Sequence, residues 1–229
     1  MNKEWSELNK RMQAQLRKEQ TFSDGIETLL KLRQKIMNEI LRMKQELLSE
    51  EFSKMPFPKA NGYHSKTIAY SLWHIFRIED IVAHSLIQGN EEVFFLENYQ
   101  KRMKSPIITT GNELIDQEIE DFSKKLDLEY LYQYIEDVKE STENILKNFS
   151  FKDMKRKFND EDKSRLRDLH VVSTQEQACW LIDYWCGKDT RGLIQMPFSR
   201  HWIMHIEACL RIETKIMQGN KKQESLIDV

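Results

Sequence analysis

The sequence contains few of the residues that interrupt helices. It has seven glycines and four prolines among 229 residues, less than half their combined share in an average protein. Turn-rich β architectures need both residues at their many chain reversals. Their scarcity disfavours such folds and predicts a protein built from helices.

Cysteine, excess charge and long apolar runs are also scarce. The three cysteines, Cys179, Cys186 and Cys209, are an odd number in apolar, helix-like stretches. Such positions suit buried thiols in a reducing cytoplasm better than disulfides. A net charge of −2 disfavours nucleic-acid binding. No run of 18 apolar residues and no signal core is present, so we expect neither a membrane protein nor a secreted one.

The residues that are abundant predict an all-α fold. Apolar residues make up 40% of the sequence, and they recur every three or four positions, the spacing of one helix face. Four long helices are predicted at about residues 24–50, 65–88, 128–149 and 198–217. Shorter helices are predicted between the second and the last of these, including 113–126 and 174–186.

Several residues predict where these helices begin and end. Ser23 and Asp127 are candidate N-caps, because their side chains can accept hydrogen bonds from the first backbone N–H groups. Thr174 and Gln177 have the spacing of a capping box. Gly219 is a candidate end for the last long helix.

The length favours one domain. We expect residues 1–22 to form a charged N-terminal helical arm and residues 221–229 a polar tail. Residues 23–220 would then form a single helical domain, in which about 91–173 are an insertion.

Three histidines are predicted to point into the core. His201 and His205 are four residues apart, so they lie only about 40° apart on one apolar helix face. His74 lies in the apolar stretch of the second long helix. Buried imidazoles can be satisfied by carbonyls or carboxylates, and the pair alone is a weak metal signal. Three imidazoles from two helices could instead hold a divalent transition metal and leave coordination positions open.

Glu79 lies on the most apolar face of the second long helix, where a carboxylate needs a partner. An ion pair with Arg77 or Arg211 is the commoner explanation, and a hydrogen bond that orients a metal-binding histidine is the other. We therefore predict that Glu79 forms a buried ion pair or orients a metal-binding histidine and is not itself a ligand.

The remaining candidates have weaker support. Cys209 is one turn beyond His205 and could be a fourth, thiolate ligand of a closed structural site. We expect His64, His84 and His170 to lie on the surface or to contact a metal ligand without binding the metal. No catalytic residue can be assigned, and no glycine-rich phosphate loop indicates a nucleotide cofactor.

At these positions the sequence resembles the DinB-like family of damage-inducible, metal-binding four-helix bundles, which are similar to YfiT-type thiol transferases. That family has one histidine in its second helix, here His74, and an HxxxH pair in its last helix, here His201 and His205. The resemblance covers about residues 24–90 and 174–218.

The resemblance implies a fold, a metal and an activity. The fold would be a DinB-type four-helix bundle with extra helices between the second and last bundle helices. The three histidines would bind nickel, zinc or iron, and the protein would be a cytoplasmic homodimer. It would activate a thiol or water for transfer to, or hydrolysis of, a small molecule. The alternative is a non-catalytic, stress-related binding or oligomerisation module with structural histidines.

Overall fold

The structure, a computed structural model, describes residues 2–227 of the chain, and the side chains of residues 2–220. The regular secondary structure of this part of the chain is helical and includes no β-strand, so the all-α prediction is confirmed. None of its helices has the length and apolar composition that crossing a membrane requires. The predicted tail, residues 221–229, lies outside the residues whose side chains are described.

Eleven α-helices lie within the described range. They are α1 Lys3–Gln15, α2 Phe22–Glu46, α3 Ile68–Asp80, α4 Val93–Leu96, α5 Tyr99–Arg102, α6 Gln117–Lys125, α7 Leu128–Asn148, α8 Asp160–Asp168, α9 Glu176–Cys186, α10 Thr190–Gln195 and α11 His201–Ile227.

Two segments are wound as π-helix. Ile81–Gln88 continues α3, so that the second predicted long helix is unbroken from Ile68 to Gln88. Met196–Arg200 leads directly into α11. π-helical turns are rare and occur often at functional sites, and the second one immediately precedes His201.

The long helices α2, α3, α7 and α11 contact one another in a closed cycle. Helix α3 contacts α7 and α11, and α2 contacts the same two helices. Every residue of α3 is buried, including the charged residues Arg77, Glu79 and Asp80. This central position places the His74 helix against the helix that carries the other two histidines.

The N-terminal helix is packed on the domain. Four apolar side chains of this region, Trp5, Leu8, Met12 and Leu16, are buried, and α1 contacts α2. A Cβ atom at Gly25 would lie 2.8 Å from the Leu16 side chain. The absence of a side chain at Gly25 therefore allows this close approach. The predicted division between an arm and a domain stays a prediction.

The predicted helix starts are right in one case and wrong in two. Asp127 accepts a hydrogen bond from the backbone N–H of Tyr130 and caps α7. Ser23 is not a cap, because a 3-10 turn at Glu19–Thr21 starts the helix earlier and leaves Ser23 inside its first turn. Thr174 is not a cap either, because α9 begins after Gln175.

Gly219 does not end the last helix. Helix α11 continues through it to Ile227. Glycine in a helix interior costs about 1 kcal/mol relative to alanine but keeps its backbone hydrogen bonds. A single glycine is therefore tolerated within a long helix.

Candidate metal centre

The three predicted histidines meet where α3 and the first two turns of α11 come together. One ring nitrogen each of His74, His201 and His205 lies within 4.8 Å of the other two. The ring centroids are 4.5 to 5.1 Å apart. All three side chains are buried. The group has the composition and spacing to hold one metal ion.

A backbone carbonyl orients the first of these imidazoles. His74 Nδ1 donates a hydrogen bond of 2.7 Å to the carbonyl oxygen of Thr110. With the proton of the neutral ring on Nδ1, the Nε2 atom has a free lone pair. Metal-binding histidines commonly make this contact with their other nitrogen, since it fixes the tautomer and the ring orientation.

Gly111 allows the Thr110 carbonyl to approach His74. Its φ is +76°, in the left-handed region that favours glycine. A Cβ atom there would lie 3.0 Å from Trp73 and 3.1 Å from Tyr70. The Tyr70 hydroxyl donates to the Gly111 carbonyl over 2.9 Å. The loop before α6 is thus packed against α3 beside the histidines.

The other two imidazoles each have an orphaned nitrogen. The Nδ1 atoms of His201 and His205 are buried and have no hydrogen-bond partner in the described part of the chain. Buried polar atoms normally have a partner. The carbonyl or carboxylate partners expected of structural histidines are thus missing at both atoms. Three imidazole nitrogens are a suitable donor set for a divalent transition metal.

Burial keeps the three rings neutral. It lowers the pKa of His74 to about 4, against the opposing effect of the Thr110 carbonyl. Burial, and then the neighbouring imidazoles, hold the pKa values of His201 and His205 well below their ordinary value. Because only a neutral imidazole can bind a metal, the group needs no deprotonation at neutral pH.

A cavity of about 260 Å³ lies beside the three rings. Its walls include Trp180 and Tyr63, which are 49% and 38% exposed, so the cavity opens to solvent. The Tyr63 ring packs edge-on against His205, with centroids 4.6 Å apart. The histidines therefore face an accessible cavity.

Glu79 forms a buried ion pair, one of its two predicted roles. Its carboxylate accepts hydrogen bonds of 2.9 and 2.7 Å from the Arg33 guanidinium and one of 2.7 Å from Trp202 Nε1. Arg33 also pairs with Glu143 at 3.2 Å. These contacts join α2, α3 and α11, including both helices that carry the histidines. The other predicted role, in which Glu79 orients a metal-binding histidine, stays a prediction.

The predicted partners of Glu79 were wrong. Arg77 pairs with Glu92 at 2.6 Å, and Arg211 contacts His64. The correct partner is Arg33 of α2, which precedes Glu79 by 46 residues in the sequence. Periodicity along one helix does not indicate which other helix faces it.

Two cysteine predictions were also wrong. Among the described residues, the group that could hold an ion contains no cysteine. Cys209 is therefore not a fourth ligand of this group, and burial raises the pKa of its thiol to about 12 in the absence of a metal. Cys179 is exposed, although Cys186 and Cys209 are buried as expected.

The remaining histidines lie outside the three-histidine group. His170 is exposed. His84 is buried, so a surface role for it is wrong; its ring pairs with Asp80 at 2.9 Å and contacts the Ser141 hydroxyl at 2.8 Å.

Sequence reasoning missed the loop and the cavity wall. Thr110 acts through its backbone, which its residue type does not reveal. Asn112 and the aromatic residues of α9 line the cavity, but no local pattern places them beside the histidines. The one local signal in this region is Gly111, since glycine is common where a loop needs a positive φ.

Comparison with known proteins does not identify the chain. No family model matches the sequence, and no curated protein shows a significant match to it.

Proposed function

We propose that the protein is a metal-dependent enzyme in which His74, His201 and His205 hold one divalent transition-metal ion. The observation that carries the proposal is the convergence of three neutral imidazoles, two of them with orphaned nitrogens, on a cavity open to solvent. A structural site would instead be closed by a fourth protein ligand.

We also propose that the fold is a DinB-like four-helix bundle and that the protein is a homodimer. Support for the bundle comes from the order of the three histidines along the chain and from the closed cycle of contacts among α2, α3, α7 and α11. The homodimer follows from the family resemblance alone. Nickel, zinc or iron would be the metal.

The reaction would be hydrolysis or the transfer of a small thiol. A divalent ion bound by three neutral imidazoles would lower the pKa of a bound water or thiol and so supply a nucleophile. The chain itself holds the His74 ring in place through the Thr110 carbonyl. Its aromatic residues, among them Trp180 and Trp185, form an apolar wall of the cavity beside the histidines.

A substrate screen tests this function. The metal-loaded protein would be assayed with several small thiols and electrophiles, and with hydrolysable esters and amides. His205→Ala should reduce turnover by about 100-fold or more, because loss of a ligand should cost at least as much as loss of a group that orients a ligand, which costs about 10–100-fold. His170→Asn is the control, since this histidine is exposed and asparagine tolerates its positive φ of 52°. Turnover that is absent in every assay, or equal in His205→Ala, would favour the non-catalytic binding module.

A further inference from the structure

The cavity beside the histidines is small and mostly apolar. Its volume of about 260 Å³ is below the range of about 300–1,000 Å³ that is typical of pockets for drug-sized ligands. The walls include Tyr184 and Trp185 of α9, and Pro197 of the π-helical segment. Flat aromatic walls favour a flat apolar ligand, because stacked rings bury large areas.

The absence of charged side chains in the cavity lining further limits the class of ligand. Among the described residues that line the cavity there is no Asp, Glu, Lys or Arg. A charged ligand body would lose its hydration without gaining an ionic partner from these walls. The part of the ligand that lies along these walls is therefore expected to be neutral, since an anionic group would find an ionic partner only in the metal ion proposed at the histidines.

One lining residue has an unused hydrogen-bond acceptor. The Oδ1 atom of Asn112 is buried and has no hydrogen-bond partner in the described part of the chain. Asn112 lines the cavity together with the three histidines. It follows Thr110 by two residues, so the segment that orients His74 also brings Asn112 to the wall of the cavity. Buried acceptors without a donor are uncommon and costly.

We propose that the cavity binds a small neutral molecule with a flat apolar body and that Asn112 Oδ1 accepts a hydrogen bond from an N–H or O–H group of this molecule. The donor group lies next to the atom that reacts at the three histidines. This inference deepens the proposed function and rests on it, because the ligand is the substrate of the same site.

Two probes of nearly equal shape test the role of Asn112. N-methylbenzamide has an N–H group where methyl benzoate has an ester oxygen. Binding of each to the full-length, zinc-loaded protein would be measured by ligand-observed NMR titration. The wild type should bind the amide about tenfold more tightly, the scale of one hydrogen bond to a buried acceptor.

Four variants test whether Asn112 Oδ1 causes the preference for the amide over the ester. Asn112→Leu should remove it, whereas Asn112→Asp should keep it, because a carboxylate also accepts. Trp180→Ala should weaken both probes without changing their ratio. Asn148→Ala, a change at an exposed asparagine outside this cavity, should leave both affinities unchanged.

Different results of this experiment would contradict this inference and the proposed metal site. Equal binding of the two probes, no binding of either, or a preference that persists in Asn112→Leu would overturn the inference. Zinc content would be measured on the same samples. Zinc binding without a probe preference would overturn the inference alone. A preference that depends on Asn112 in a protein that binds no zinc would support the donor-binding cavity and contradict the metal site.

Discussion

Replacing Glu79 by glutamine tests whether the buried ion pair holds together the helices that carry the histidines. The side chains of Arg33 and Glu79 are both fully buried. Glutamine keeps the size of the side chain and one acceptor oxygen, but it removes the charge. The Arg33 guanidinium then retains only Glu143 as an ionic partner, at 3.2 Å.

The expected loss of stability follows from this geometry. Removing one partner of a buried ion pair costs about 3–5 kcal/mol, because the other charge stays buried. The remaining contact with Glu143 places the expected loss in the free energy of unfolding at the lower end, about 3 kcal/mol. A double variant, Arg33→Met with Glu79→Met, removes both charges and should be more stable than Glu79→Gln.

Urea unfolding of the metal-free protein, followed by far-UV circular dichroism, measures these changes. The control is Glu129→Gln, at an exposed residue that pairs with Lys44 at 3.0 Å; surface pairs of this kind contribute little. Zinc affinity of Glu79→Gln should be weaker than that of the wild type but not abolished. A Glu79→Gln variant as stable as the control would refute the argument, and complete loss of zinc from a folded variant would make Glu79 a ligand.

Three further predictions concern other parts of the chain. Gly111→Ala should lower the free energy of unfolding by more than about 1 kcal/mol and weaken zinc binding, as measured by urea unfolding and zinc titration. Burial lowers the pKa of His84, but the hydrogen bond and charge of Asp80 and the charge of Glu92 raise it above its ordinary value overall. The stabilisation from His84 is therefore complete below the unfolded pKa of about 6.5 and is lost as the pH rises through the folded pKa. His84→Gln should flatten that part of the stability profile, measured by urea unfolding at several pH values. A thiol reagent should modify Cys179 rapidly in the native protein and the two buried cysteines only after unfolding.

Each of these predictions has an outcome that contradicts it. Gly111→Ala with wild-type stability and zinc affinity would show that the close packing of the loop is unimportant. If the free energy of unfolding of His84→Gln depends on pH as in the wild type, other groups cause that pH dependence. Rapid modification of two or three thiols in the native protein would contradict the burial of Cys186 and Cys209.

The fold class and the long helices could be predicted from sequence because their signal is local. An apolar residue every three or four positions indicates a helix wherever the helix packs. Helix ends were less predictable, since a 3-10 turn competed with Ser23 and a single glycine did not stop α11. Contacts between helices have no such local signal. For that reason the orientation of the histidines was predictable, whereas the pairing of Glu79 with Arg33 was not.

The candidate site likewise has features that the sequence predicts and features that depend on tertiary packing. The inward face of His201 and His205 follows from their spacing within one apolar stripe, and the apolar surroundings of His74 are visible in the sequence. The Thr110 carbonyl belongs to the backbone, and Asn112 reaches the cavity through a loop whose path depends on tertiary packing. Sequence patterns carry little information about either contact.

Metal content is the most direct test of the central claim that three histidines form one metal site. Zinc, nickel and iron would be quantified in the purified wild type and in His74→Ala, His201→Ala and His205→Ala, with His170→Asn as the control. We expect one divalent ion per chain in the wild type and the control, and a large loss in each of the three alanine variants. Unchanged metal content in all three folded alanine variants would contradict the claim.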